Sequence, residues 1–274
     1  MPRSKHAIAW VNAQRNMCLE ELYSLVPSTN RGLINETAVR LAASATAIQT
    51  DIASLSIADR KQAILMAKQF VNHLGISTNA VIPSLSDIEL NESIEIGHRL
   101  LQITSHRGEP IRYYASIPGA GLIDNCIADG LSDSSVVEIK SGLRPFRSED
   151  IRQGLVYAAL IQLCRSGSNA KTLCLINPRQ GCISEVSFDQ VVMRAGGLGW
   201  LEFMQRFEIY VTNPTSFLPQ GPIILLQQMK SICISSILHA PQINGIQKET
   251  RMQNTQFADK RTFDAKVDVT TIYF

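Results

Sequence analysis

No apolar run in this chain approaches the ~18 residues needed to cross a bilayer. Toward the C-terminal end the longest is Pro222 to Leu226, five residues. The opening Met1-Pro-Arg-Ser-Lys-His6 lacks the apolar centre of a secretory signal, so the expectation is a soluble, cytoplasmic protein without a membrane partner. A formal net charge of only +2 does not announce nucleic-acid binding. Cations that grip a polyanion would have to be concentrated locally. The six cysteines show no Cys-x-x-Cys and no zinc-finger spacing. Cys126, Cys164, Cys174 and Cys182 stand among Val, Ile and Leu and read as core residues. A Gly-x-x-x-x-Gly-Lys-[Ser/Thr] loop is missing, so nucleotide hydrolysis as a power source is excluded and any unwinding motor would be a separate partner. There is no Ser–His–acid series in nucleophile context and no internal repeat.

With 274 residues, 45% of them hydrophobic, the chain can bury one large core or two small ones. The first seventy-five residues read as helices. One starts from Asn35 as N-cap, with Leu41, Ile48, Ile52 and Leu55 at helical spacing. A second opens at Ser56-x-x-Asp59 and runs to Leu74, with Gly75 as its C-cap. Ile76 to Pro83 reads as a linker. Ser84 or Ser86 then caps a helix through Ser105, followed by a strand at Ile111–Ser116 and a hairpin. Ser148, with Glu149 and Asp150 in its first turn, opens a helix apolar nearly all round, ending at Gly167. Strands at Thr172–Asn177 and Cys182–Ser187 precede a helix over 189–210 loosened by Gly196, Gly197 and Gly199. This order implies an α/β fold, a mixed β-sheet flanked by helices, with an all-helical segment before it. The expected division is a helical N-terminal region over 1–80, a core over 81–212, and a C-terminal extension over 213–274. Within that extension Gln242 to Lys260 is polar, and alternation from Phe263 to Tyr273 suggests a terminal strand for a sheet edge or another chain.

The hairpin carries the chemistry. Strand-like alternation runs from Leu122 to Ala128 and from Val136 to Lys140, around the turn signal Gly130-Leu131-Ser132-Asp133. Folding about Leu131 sets Asp124 opposite Glu138, and period two puts Lys140 on the same face. Asp129 is a rival for Asp124, but its odd offset assigns it to the other pleat face. Two opposed carboxylates destabilise a bare hairpin. A hard divalent cation, Mg2+ or Mn2+, would compensate them, binding one or two carboxylates together with substrate phosphate oxygens. Lys140 would then stand beside a water or a phosphate, with its pKa expected to fall next to the cation. Such an arrangement suits phosphodiester hydrolysis. Arg144 and Arg147 lie just beyond and would contact substrate, or form an ordinary solvated face with Arg152.

Gly121-x-x-Asp124, Glu138-x-Lys140 and Gln153-x-x-x-Tyr157, in that order, resemble the PD-(D/E)XK nuclease superfamily and its RecB-like branch. The likeness spans roughly residues 90 to 190, and Ile123 stands where the superfamily's name has Pro. It implies a restriction-endonuclease-like core, metal-dependent cleavage leaving 5′-phosphate and 3′-hydroxyl ends, and Asp124, Glu138 and Lys140 as the catalytic set. It also implies that Gln153 touches substrate or orients the lysine, and that Tyr157 meets the DNA backbone. His98, in Gly97-His98, matches the histidine such enzymes carry on the helix before the sheet and would be a third metal ligand, with Glu95 competing. The cysteine pattern of iron–sulfur members is missing.

Three functions stay open on the sequence. The first is a Mg2+- or Mn2+-dependent nuclease on DNA, serving repair or prokaryotic (antiviral) defence, with a protein partner or a second copy. A catalytically silent nuclease fold that binds nucleic acid or scaffolds a complex is the alternative. The third is a helical interaction protein with an accidental motif.

Overall fold

The computed structural model describes residues 4–23, 30–73, 84–164 and 169–213. The expected linker, the C-terminal extension beyond 213 and Cys233 lie outside these residues. The helices are α1 (Ser4–Ala13), α2 (Arg31–Ala47), α3 (Ile57–His73), α4 (Asp87–His106), α5 (Ser148–Leu163), α6 (Phe188–Gly196) and α7 (Trp200–Thr212). The strands are β1 (Asn16–Met17), β2 (Arg112–Ile117), β3 (Cys126–Leu131), β4 (Ser135–Ile139), β5 (Thr172–Asn177) and β6 (Cys182–Ser187). Together they form an α/β fold with one six-stranded mixed sheet, in the order β1-β6-β5-β4-β3-β2. All pairings are antiparallel except β4–β5, the pair that α5 connects. Among the described residues no helix is long and apolar enough to cross a membrane.

Two hydrophobic cores sandwich the sheet. Val136, Leu173, Leu175 and Val186 pack with α5, α6 and α7 on one face. Val137, Ile139, Cys174 and Ile176 pack with Leu41 and Ala45 of α2 and Leu100 and Ile103 of α4 on the other. Alternation along β4 and β5 therefore feeds both cores, as expected of central strands buried on both sides. The N-terminal helices cover the sheet directly, and β1, which the sequence pattern does not announce, adds two residues to its edge.

Capping chemistry sets several boundaries. Ser86 and Glu89 form a reciprocal capping box at α4. Ser56 Oγ accepts the Asp59 N–H at the start of α3. The first long helix begins at Arg31 with Asn30 as N-cap, not at Asn35, whose side chain instead reaches the guanidinium of Arg179. The helix expected over 189–210 is two, because Gly197 adopts φ +73° and ends α6 in a left-handed cap.

Candidate active site

The β3–β4 turn is Asp133–Ser134: Ser132 N–H donates to Ser135 O at 3.0 Å, and the ladder pairs Leu131 with Val136 and Gly130 with Val137. One step further along this register, Asp129 comes opposite Glu138. The expected partnership of Asp124 with Glu138 is corrected by five positions. Asp124 precedes β3, exposed, in the loop after Gly121. Gly130 is not a turn residue at all. A Cβ there would sit 2.6 Å from Ile111 Cγ2, so the position needs glycine for close packing inside the strand.

The parity argument against Asp129 fails because alternation breaks at this point. Tyr113 packs toward the α2–α4 core, whereas Ala115, two residues on, packs toward α5. Leu131 and Ala128 both face α5 although they are an odd three positions apart. Tyr114, across from Asp129, has φ +51°, a left-handed conformation costly for a bulky residue. The β3–β4 pairing ends here too. Asp129 Oδ2 accepts the Ile139 N–H at 2.8 Å, a side-chain bond where the ladder would have continued with main chain.

Glu138 is fully buried. Its Oε2 lies 2.8 Å from Lys140 Nζ, while Oε1 is buried with no hydrogen-bond partner. Burial pushes its carboxyl up to about 8; Lys140 opposes the rise and Asp129 adds to it. Burial also disfavours the Lys140 ammonium, but Glu138 and Asp129 outweigh that and hold its pKa above the ordinary lysine value. Lys140 Nζ donates to Gln153 Oε1 at 3.2 Å, and Gln153 Nε2 donates to Tyr157 Oη at 3.0 Å. Glu138 of β4, Lys140 just beyond it, and Gln153 and Tyr157 of α5 thus form one continuous chain. Tyr157 is only 3% exposed, so it supports Gln153 from within rather than presenting itself to a DNA backbone.

A cleft of ≈ 340 Å³ opens where β3 and β4 diverge, lined by Asp129, Lys140 and Arg144 on one side and by Glu36, Phe70 and Val71 from α2 and α3 on the other. Glu36 was not anticipated. Its Oε1 accepts from Arg40 Nε at 2.8 Å and from Tyr114 Oη at 3.1 Å, and Arg40 stacks on the Tyr114 ring at 3.7 Å. Burial raises the Glu36 pKa, and the charge of Asp129 contributes to that rise. The left-handed Tyr114 is therefore held by the same carboxylate that faces Asp129.

Arg179, 2% exposed in the β5–β6 turn, also escaped the sequence pattern. Its Nε donates to Ser141 O at 3.0 Å, next to Lys140, and its Nη1 reaches Glu92 Oε1 of α4 at 2.6 Å. Glu92 also meets Arg31 of α2 at 2.5 Å, so one buried cation ties two helices to the end of β4.

The other expected residues fall as follows. His98 does not join Glu138. Its Nδ1 is 3.3 Å from Asp51 Oδ1, and Glu95 is exposed. Arg144 lines the cleft while forming a bidentate pair with Asp150, at 2.9 and 3.2 Å. Arg147 is exposed, its main-chain N–H donating to Asp150 at the head of α5. Among the described residues no three His, Cys, Asp or Glu side chains converge to hold a metal ion, so the set Asp124–Glu138–His98 is not assembled. Cys126, Cys174 and Cys182 are buried, and Cys164 is half-buried against the carbonyls of Pro118 and Gly119.

Fold and site together define an α/β protein whose central hairpin sets Asp129 and the adjoining Lys140 in a cleft, with Glu138 buried beside the lysine. Searches with family models, against curated proteins and against solved structures gave no match.

Proposed function

We propose that the protein is a Mg2+- or Mn2+-dependent nuclease of PD-(D/E)XK type with a restriction-endonuclease-like core, acting on DNA. The observation that carries this reading is the orphaned Glu138 Oε1, buried beside Lys140, with Asp129 on the neighbouring strand. An unpartnered buried carboxylate oxygen is costly, and a hard cation is the partner its chemistry suits. Asp129 and Glu138 would hold that cation, leaving the rest of its shell to main chain, water and substrate, as Mg2+ commonly does. When bound it would lower the pKa of a water and offset charge developing on the phosphate. The charge balance supports the requirement. Glu36, Asp129 and Asp150 already offset Arg40, Lys140 and Arg144 before Glu138 is counted, so the protein alone does not attract a phosphate. Lys140 presents its ammonium to the phosphate, Gln153 fixes its direction, and Tyr157 fixes Gln153.

The test is cleavage of linear, circular and single-stranded DNA by purified protein with Mg2+, Mn2+ or chelator, beside Lys140→Ala. Metal-dependent cleavage lost in the variant is expected. Cleavage that survives chelator or Lys140→Ala overturns the proposal. One observation favours the silent alternative: the Glu138–Lys140 pair is already closed on itself and Glu138 is fully buried. DNA binding without turnover under any metal would select that reading.

A further inference from the structure

We infer that the cleft receives a single unstacked nucleotide, its base lying on Phe70, so that the substrate is single-stranded DNA or a frayed end. This rests on the nuclease reading for the identity of the ligand, though not for its turnover. The cleft is amphipathic across its width. Val39, Phe70 and Val71 supply apolar surface on the side that also carries Asn35 and Glu36, while Asp129, Lys140 and Arg144 line the charged side. Gly32, also in the lining, contributes no side chain, and a Cβ there would come no closer than 4.0 Å to Val71. Phe70 is half-buried, and Arg40 Cζ lies 5.9 Å from its ring centroid.

With the proposed cation held by Asp129 and Glu138, a ligand matching both sides needs a planar apolar group and an anion within one short span, which describes one nucleotide. A duplex offers chiefly sugar and phosphate to such a recess, its bases being stacked and paired inside, and would leave the apolar wall unmatched. Aromatic side chains that stack bases are the general device for holding single strands, and they tolerate any base because every base has a π face. The ≈ 340 Å³ of the cleft also suits one residue of substrate rather than the width of a double helix.

The experiment measures binding of a fluorescein-labelled oligothymidine, and of a hairpin duplex with equal phosphate count, in Ca2+. Wild type is compared with Phe70→Ala, Phe70→Leu and Phe70→Trp. Preference of wild type for the oligothymidine is expected. Phe70→Ala and Phe70→Leu should lose about 5- to 100-fold in affinity, the range that stacking one base accounts for, and Phe70→Trp should keep it. Phe70→Leu fills the space without a π face, so it separates stacking from folding. Where DNA is cut, the same variants should lose mainly through KM. Equal affinity of wild type and Phe70→Leu, equal affinity for duplex, or no binding by wild type would overturn the inference. Stacking-dependent binding without cleavage in Mg2+ or Mn2+ would remove the nuclease reading and leave this one standing.

Discussion

Asp129 does two separable things, and substitution can pull them apart. Its Oδ2 accepts the Ile139 N–H at 2.8 Å, and its charge lies beside Glu138 and Glu36, raising the pKa of both. Asp129→Ala strands the Ile139 N–H and removes a hydrogen bond to a charged acceptor, about 1.5–3 kcal/mol. For a domain of this size that is roughly 3–10 °C in Tm. Asp129→Asn keeps an acceptor oxygen in place and relieves repulsion with two carboxylates, so its stability should stay within about 1 kcal/mol of wild type. Both variants should lose metal-dependent cleavage. Asp124→Asn, at an exposed loop position, should change neither stability nor cleavage. Thermal and urea unfolding, run beside the cleavage assay, read all three. If Asp124→Asn abolishes cleavage while Asp129→Asn retains it, the register-based assignment of the site is refuted. If Asp129→Ala and Asp129→Asn are equally stable, the Ile139 bond contributes nothing.

Arg179→Met should cost about 3 kcal/mol or more in urea unfolding, because it takes from the 2%-exposed Glu92 carboxylate the buried guanidinium 2.6 Å away; a loss below ~1 kcal/mol would remove the proposed tie. Glu185 offers a pH test. Burial works to raise its pKa, but hydrogen bonding and charge from Arg107 outweigh that and leave it below the ordinary value. A depressed folded-state pKa contributes stability above the unfolded value and loses it as pH falls through the folded one. Arg107→Met should therefore be most destabilised near pH 7 relative to wild type, with the gap narrowing below about pH 4 in urea midpoints; a gap independent of pH refutes the linkage. Adding Mg2+ or Mn2+ should stabilise wild type by about 2.7 kcal/mol at a hundred times Kd, read as a Tm that climbs with the logarithm of metal concentration, and leave Glu138→Gln unmoved; an equal rise in both denies Glu138 the cation.

The elements with strong local signals were legible in the sequence. β5 and β6 lie where alternation and the Pro178–Gly181 turn put them, and α4 starts at the Ser86 capping box. β1 was not legible, because two exposed residues carry no pattern and owe their pairing to β6. Asn35 was misread as a cap because an Asn ahead of apolar spacing looks the same whether it ends a loop or, as here, reaches sideways to a buried arginine. Arg179 could not be found, since an arginine in a turn is ordinarily solvated and only the packing of α4 against the end of β4 buries it.

At the site, Glu138 with Lys140 and Gln153 with Tyr157 share faces as their spacing suggested, because one strand period and one helical turn are both local rules, while the meeting of the two pairs was implied only by the resemblance. The first acid did not, and the reason is physical. Strict alternation assigns faces only while φ stays extended, and Tyr114 at +51° breaks it for β2 and for the strand paired to it. The break is also what frees the Ile139 N–H for a carboxylate and opens the cleft between β3 and β4. Backbone strain of this kind persists only where surroundings over-determine it, and here Glu36 and Arg40 grip the Tyr114 side chain from α2. The departure from the strand rule and the assembly of the acids are thus one event. A relaxed β2 would restore alternation, turn Asp129 away from Glu138 and close the cleft, so a hairpin obeying the sequence pattern throughout could not build this site.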